Sequence, residues 1–162
     1  MDELLVNAGV IGIGATLVMD MVALTLKRGF GIRPLDYALV GRWAIHACRG
    51  QAVHRPITAT PPVAYEAMVG WGLHYLIGVM FAVVFLLWSG EGWLAEPRAI
   101  PAIAFGALTV LAPFLVLQPG MGAGLAARRT PRPGTSRLRS LTAHLSFGVG
   151  IWVAAVFLST MT

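Results

Sequence analysis

Four long apolar stretches, near residues 4–26, 66–88, 99–118 and 141–161, constrain this chain more than any other feature. Each reaches the ~20 residues that a helix needs to cross a ~30 Å hydrocarbon layer at 1.5 Å per residue. Only 12% of the 162 residues are charged and the mean hydropathy is +0.74, so the solvent for this chain is mostly lipid. The expected fold is an all-α polytopic membrane protein, a four-transmembrane-helix bundle forming a single membrane domain over 1–162.

Charge placement sets the expected orientation. Eleven of the twelve Lys and Arg residues lie in two loops, 27–65 and 125–140. The first holds Lys27, Arg28, Arg33, Arg42, Arg49 and Arg55; the other holds Arg128, Arg129, Arg132, Arg137 and Arg139. The loop between them has Arg98 beside Glu91 and Glu96, and the chain starts Met1-Asp2-Glu3. Lys and Arg near span ends stay on the cytoplasmic side, so both basic loops are expected to face in and both termini out. The net charge of +5 and the pI near 10.4 follow from this asymmetry, and no nucleic-acid partner is expected. The acidic start and the length of the first apolar run argue against a cleavable signal. Cys48 is the only cysteine, which excludes an intrachain disulfide. Trp88 and Trp93 bracket the outer end of the second span, where aromatic rings favour the headgroup region.

The first basic loop is long for a bundle connection and is expected to carry structure of its own. Pro34 fits the first turn of a helix running to about Arg49, and Gly50 fits its end. On that helix Arg42, His46 and Arg49 make one basic stripe, with Leu35, Leu39, Val40, Trp43 and Ala47 supplying apolar area nearby. Two readings stay open. One is an amphipathic helix on the inner leaflet with its arginines toward anionic lipid. The other is a lid over a site open to the cytoplasm, into which Asp36, Tyr37, Arg42 and His46 reach. Glu66 enters the first turns of the second span, where the helix dipole favours a carboxylate with or without a functional role. After the third span, Gln118-Pro119-Gly120-Met121-Gly122-Ala123-Gly124 cannot continue a regular helix, because proline removes a donor and the glycines loosen the backbone. At the inner boundary this is a helix end. Deeper, its freed amides with Arg128 and Arg129 would bind an anion.

Ionisable groups inside a span are costly and therefore functional candidates. By helical rise, Asp20 lies about 10 Å, His74 about 12 Å and His144 about 8 Å from the inner edge. Gln118 lies about 30 Å from the outer edge and so close to the inner one. All four are expected in the cytoplasmic half. Gly12, Thr16 and Asp20; Gly70, His74 and Gly78; and Ser140, His144 and Gly148 each recur every fourth residue. Small residues at that spacing let helices approach closely, so the polar side chains are expected on packing faces. Span three lacks such a stripe. The runs His74-Tyr-Leu-Ile-Gly-Val79 and His144-Leu-Ser-Phe-Gly-Val149 are alike, which suggests a duplicated helical hairpin with His74 and His144 pseudo-equivalent.

Gly14–Asp20 (GATLVMD), Leu35–Trp43 (LDYALVGRW), Gln118–Gly124 (QPGMGAG) and Thr130–Pro133 (TPRP), with the two span histidines, give the chain a family likeness. It resembles a family of small bacterial four-span membrane proteins classed as a domain of unknown function. The resemblance implies a bacterial inner-membrane protein and a single-domain bundle. It places Asp20, Asp36, Tyr37, Arg42, Gln118 and His144 within the family's motifs and implies no activity.

No catalytic signature appears, so an enzyme is not expected. The leading reading is a small proton- or ion-coupled carrier in which Asp20, His74 and His144, with Gln118 and Glu66, bind a proton, a cation or a small polar substrate. Histidine titrates near neutral pH and suits proton coupling. Four helices rarely enclose a full pathway, so a homodimer is expected. In the alternative, His74 and His144 ligate haem or, with Asp20, a divalent metal. A third reading is an enzyme acting on a lipid head group, with Asp20 or His74 as general base and loop arginines holding phosphate.

Overall fold

The computed structural model describes residues 2–90 and 92–160. Residues 1, 91 and 161–162, which enter the charge and span readings above, lie outside them. Among the described residues the regular structure is entirely helical. Four helices are long and apolar enough to cross a membrane: Asp2–Phe30, Glu66–Ser89, Ala99–Gly120 and Pro133–Ser159, here spans one to four. A further helix, Tyr37–Cys48, forms in the first basic loop. Span four begins upstream of its apolar run because Pro133 suits a first helical position, so Arg137 and Arg139 ride on the helix itself. The chain is an integral membrane protein of the all-α class.

The chain divides into two compact units, one of 1–34, 75–109 and 142–162, the other of 35–74 and 110–141. In the first unit the spans meet backbone to backbone. A Cβ on Gly12 would lie 2.5 Å from Val79 Cα and 2.9 Å from the Gly78 carbonyl. Gly150 packs on Ala15 in the same way, and Gly106 packs on Gly148. Such approach matters in lipid, where dispersion rather than water exclusion joins helices. The Gly106 contact corrects one expectation. Span three does carry a small-residue stripe, Ala102 and Gly106, both buried.

Phe85 is fully buried, with its ring 4.6 Å from Trp93 and 5.2 Å from Phe105. Trp93 therefore belongs to the packed core, and its Nε1–H donates to the Arg98 carbonyl at 3.3 Å. Trp88 stays largely exposed, as a headgroup-level ring should. Leu5, Val10, Leu17, Met21 and Leu87 are exposed apolar residues of spans one and two, a surface suited to acyl chains.

In the second unit the loop helix starts one residue after Asp36, whose carboxylate accepts the Ala38 N–H at 3.0 Å. Pro34 thus precedes the cap and lies outside the first turn. Gly50, at φ +86°, ends the helix in a Schellman arrangement: Gln51 N–H bonds the His46 carbonyl and Gly50 N–H the Ala47 carbonyl. Gly41 crosses span two at Gly70. A Cβ on Gly41 would overlap the Glu66 carbonyl, and one on Gly70 the Tyr37 carbonyl. Gly70, expected to join spans, instead seats the loop helix.

Span three loosens before it ends. Pro113–Leu117 is a π-turn, closed by Gln118 N–H to the Pro113 carbonyl, and one last helical turn reaches Gly120. Gly122 and Gly124 then take φ of +92° and +74°, angles that glycine adopts without a Cβ penalty. The Gly120 and Met121 carbonyls, at the end of the last helical turn and at its cap, accept the His54 N–H at 2.8 Å and the Ile57 N–H at 2.9 Å. The first basic loop thereby closes the broken end of span three.

These packings predict a contrast between two glycines of span one. Gly12→Ala forces a side chain against backbone and should cost about 1–3 kcal/mol. Gly9→Ala meets nothing within 4 Å and should be neutral or slightly stabilising. Unfolding temperatures of both variants in detergent decide this; equal effects would refute the crossing.

Candidate functional site

The stripe Arg42, His46 and Arg49 was expected to face lipid phosphate or reach into a site. Only Arg49 is exposed. Arg42, 8% exposed, turns inward onto Glu66. Its Nε donates to Oε2 and its Nη2 to Oε1, both at 2.8 Å, a fork-to-fork pair between the loop helix and the start of span two. Its Nη1 donates to the Thr60 carbonyl at 2.8 Å. Glu66 Oε2 also accepts the Val63 N–H at 2.9 Å, in the manner of a capping box. Hydrogen bonding to Glu66, before any other influence, holds the Arg42 guanidinium above its ordinary pKa.

The network continues through His54, a residue the sequence reading passed over. It is 3% exposed, with Nε2 3.1 Å from the Gln51 carbonyl and Nδ1 2.9 Å from Thr60 Oγ1. A carbonyl only accepts, so Nε2 carries the proton. His46 stands edge-on to His54 at 5.4 Å between ring centroids, and its Nε2 is buried with no partner among the described residues. Trp43 Nε1–H donates to the Ala52 carbonyl at 2.9 Å. Gln118 donates to Ser140 Oγ at 3.1 Å while its Oε1 is buried without a partner. A buried ring nitrogen and a buried amide oxygen, each unsatisfied, thus lie in the same compact unit.

Tyr37, at the start of the loop helix, stacks on His74 at 4.1 Å and 26°, and lies 4.6 Å from Trp71. Asp36 remains an exposed helix cap, and Arg128 is exposed on its loop. The first unit holds the other two candidates. Asp20 accepts the Tyr75 hydroxyl at 3.0 Å. His144 Nδ1 lies 2.7 Å from Thr109 Oγ1, which itself donates to the Gly106 carbonyl at 2.6 Å. A hydroxyl has one hydrogen, so Nδ1 donates to Thr109.

Asp20 and His144 belong to the first unit, and His74, Gln118 and Glu66 to the second. Among the described residues no three His, Cys, Asp or Glu side chains group to hold a metal ion, so Asp20 with His74 and His144 forms no ligand set. Tyr75 and Thr109, the hydroxyl partners, were missed. Tyr75 adjoins His74 and Thr109 follows Gly106 by one turn, so small-residue spacing carried their signal. His54 sits in irregular chain and had no periodicity to reveal it.

The ion pair predicts a coupled loss. Glu66→Ala strands the Arg42 guanidinium and should lower the unfolding temperature markedly, whereas Arg42→Met with Glu66→Leu together should recover much of it. A double variant as unstable as the sum of the singles would contradict direct pairing.

The model of a family described as protein of unknown function (DUF2938) matches residues 9–158. No curated protein and no solved structure matches the chain. The match takes in all four spans and both basic loops, and the chain belongs to the DUF2938 family.

Proposed function

We propose that this integral membrane protein is a small proton- or ion-coupled carrier, with Asp20 and His144 as its titrating groups. One observation carries the reading: the Asp20 carboxylate, inside span one, is held by the Tyr75 hydroxyl. A hydroxyl donates to a carboxylate and accepts from a carboxylic acid, so the contact survives proton uptake and release. His144 is held differently, its Nδ1 donating to Thr109 Oγ1, whose own hydrogen goes to the Gly106 carbonyl. Ionisable groups within spans characteristically serve proton relays and ion pathways. The Lys and Arg content of the first and third loops supports a cytoplasmic side for those loops, in a bacterial inner membrane with both termini periplasmic. A homodimer would complete a pathway that four helices are too few to enclose.

Infrared difference spectra of reconstituted protein, taken between acidic and alkaline pH, test the proton site without knowledge of the substrate. The wild type should show a protonated-carboxyl band that Asp20→Asn removes and Tyr75→Phe displaces. Spectra identical in wild type and Asp20→Asn would defeat the reading.

A further inference from the structure

The second compact unit holds eight arginines and only two acids, Asp36 and Glu66. Glu66 is engaged by Arg42 and Asp36 by the loop-helix cap. The other seven, Arg49, Arg55, Arg128, Arg129, Arg132, Arg137 and Arg139, are exposed, and none is paired with a carboxylate among the described residues. Three of them are drawn toward one place by the backbone. His54 and Ile57 donate to Gly120 and Met121, so Arg55 is held in a segment stitched to the end of span three. Gly122 lies under that segment: a Cβ there would be 2.5 Å from the His54 carbonyl and 3.1 Å from Pro56 Cα, the two neighbours of Arg55. The next carbonyl, of Ala123, accepts the Arg129 N–H at 2.8 Å. The stems of Arg128 and Arg129 then lie over Gly124, with Cγ atoms 2.9 and 3.0 Å from where its Cβ would be. Directly after it, Ala126 and Ala127 take φ of +45° and +58°. Left-handed backbone at non-glycine residues is costly and concentrates at functional turns.

We infer that Arg55, Arg128 and Arg129, one from the first basic loop and two from the other, form a single binding site for a phosphate group. Three unneutralised guanidinium forks carried on neighbouring backbone suit a phosphate better than a carboxylate or a neutral ligand, because each fork can give two charge-assisted hydrogen bonds. The phosphate comes from an anionic phospholipid head group or from a free phosphate-bearing solute. The site stands independently of the carrier reading.

The test uses the full chain in detergent. Two probes are titrated separately, inorganic phosphate and micelles doped with phosphatidylglycerol, against phosphatidylcholine as reference, and binding is read from the shift in unfolding temperature. A shift with inorganic phosphate assigns the solute; a shift with phosphatidylglycerol alone assigns the lipid. Arg55→Gln, Arg128→Gln and Arg129→Gln combined should weaken the effective probe by at least about tenfold. The charge-matched combination of Arg49→Gln, Arg132→Gln and Arg139→Gln should change it by less than about threefold. Arg129→Lys, which keeps the charge but loses the fork, should fall between them. No shift with either probe, or equal losses in the two triple variants, would overturn the site in favour of a diffuse basic surface.

Discussion

A helix that breaks strands its own backbone polar groups, and the end of span three is such a break. Pro113 and Pro119 each remove a donor from the helix, and the chain beyond Gly120 turns through two left-handed glycines. Carbonyls left behind by such a break must find donors elsewhere. His54 and Ile57 supply them to Gly120 and Met121. The first basic loop is thus part of the second unit's backbone hydrogen-bond system and cannot be a loose connection.

From that closure the rest of the second unit follows. Once residues 54–57 are tied down, Thr60 presents its carbonyl to Arg42 and its hydroxyl to His54. Arg42 in turn meets Glu66, and the crossing of Gly41 over Gly70 fixes the height at which the two charges align. A buried ion pair is weak evidence for net stability, since desolvation opposes the Coulombic gain. Its effect here is to select one register of the loop helix on span two, because sliding that helix by a residue would separate the fork from the carboxylate and drive a side chain into the Gly70 backbone.

The helices were legible in the sequence because hydrophobic length is a property of contiguous residues. The same holds for Gly50 as a helix stop and for Gly12 and Gly78 as packing positions, which follow from local chemistry and fourfold spacing. What stayed hidden depended on contacts distant along the chain. Nothing local says that Arg42 faces Glu66 rather than lipid, since an inward and an outward stripe have the same period. Gly70 fits a span crossing and a loop-helix crossing equally well. His54 lies where the chain has no period at all, and its burial depends on the break sixty-odd residues later. Aligning polar residues by depth alone also could not foresee that Asp20 and His144 would sort into one compact unit and His74 and Gln118 into the other.

The partner chosen by each carboxylate distinguishes the two acids. Glu66 faces a guanidinium, which is permanently charged and can only donate, so it matches one protonation state of the acid. Asp20 faces a hydroxyl, which matches both. The same division holds for the histidines. His54 has both ring nitrogens engaged at short range by a carbonyl and a hydroxyl of its own loop, the mark of a side chain that organises chain around it. His144 is anchored through Nδ1 to Thr109, which fixes the ring. Anchored on a hydroxyl that is itself tied to the Gly106 carbonyl, that ring orients a side chain inside span four rather than bracing a loop.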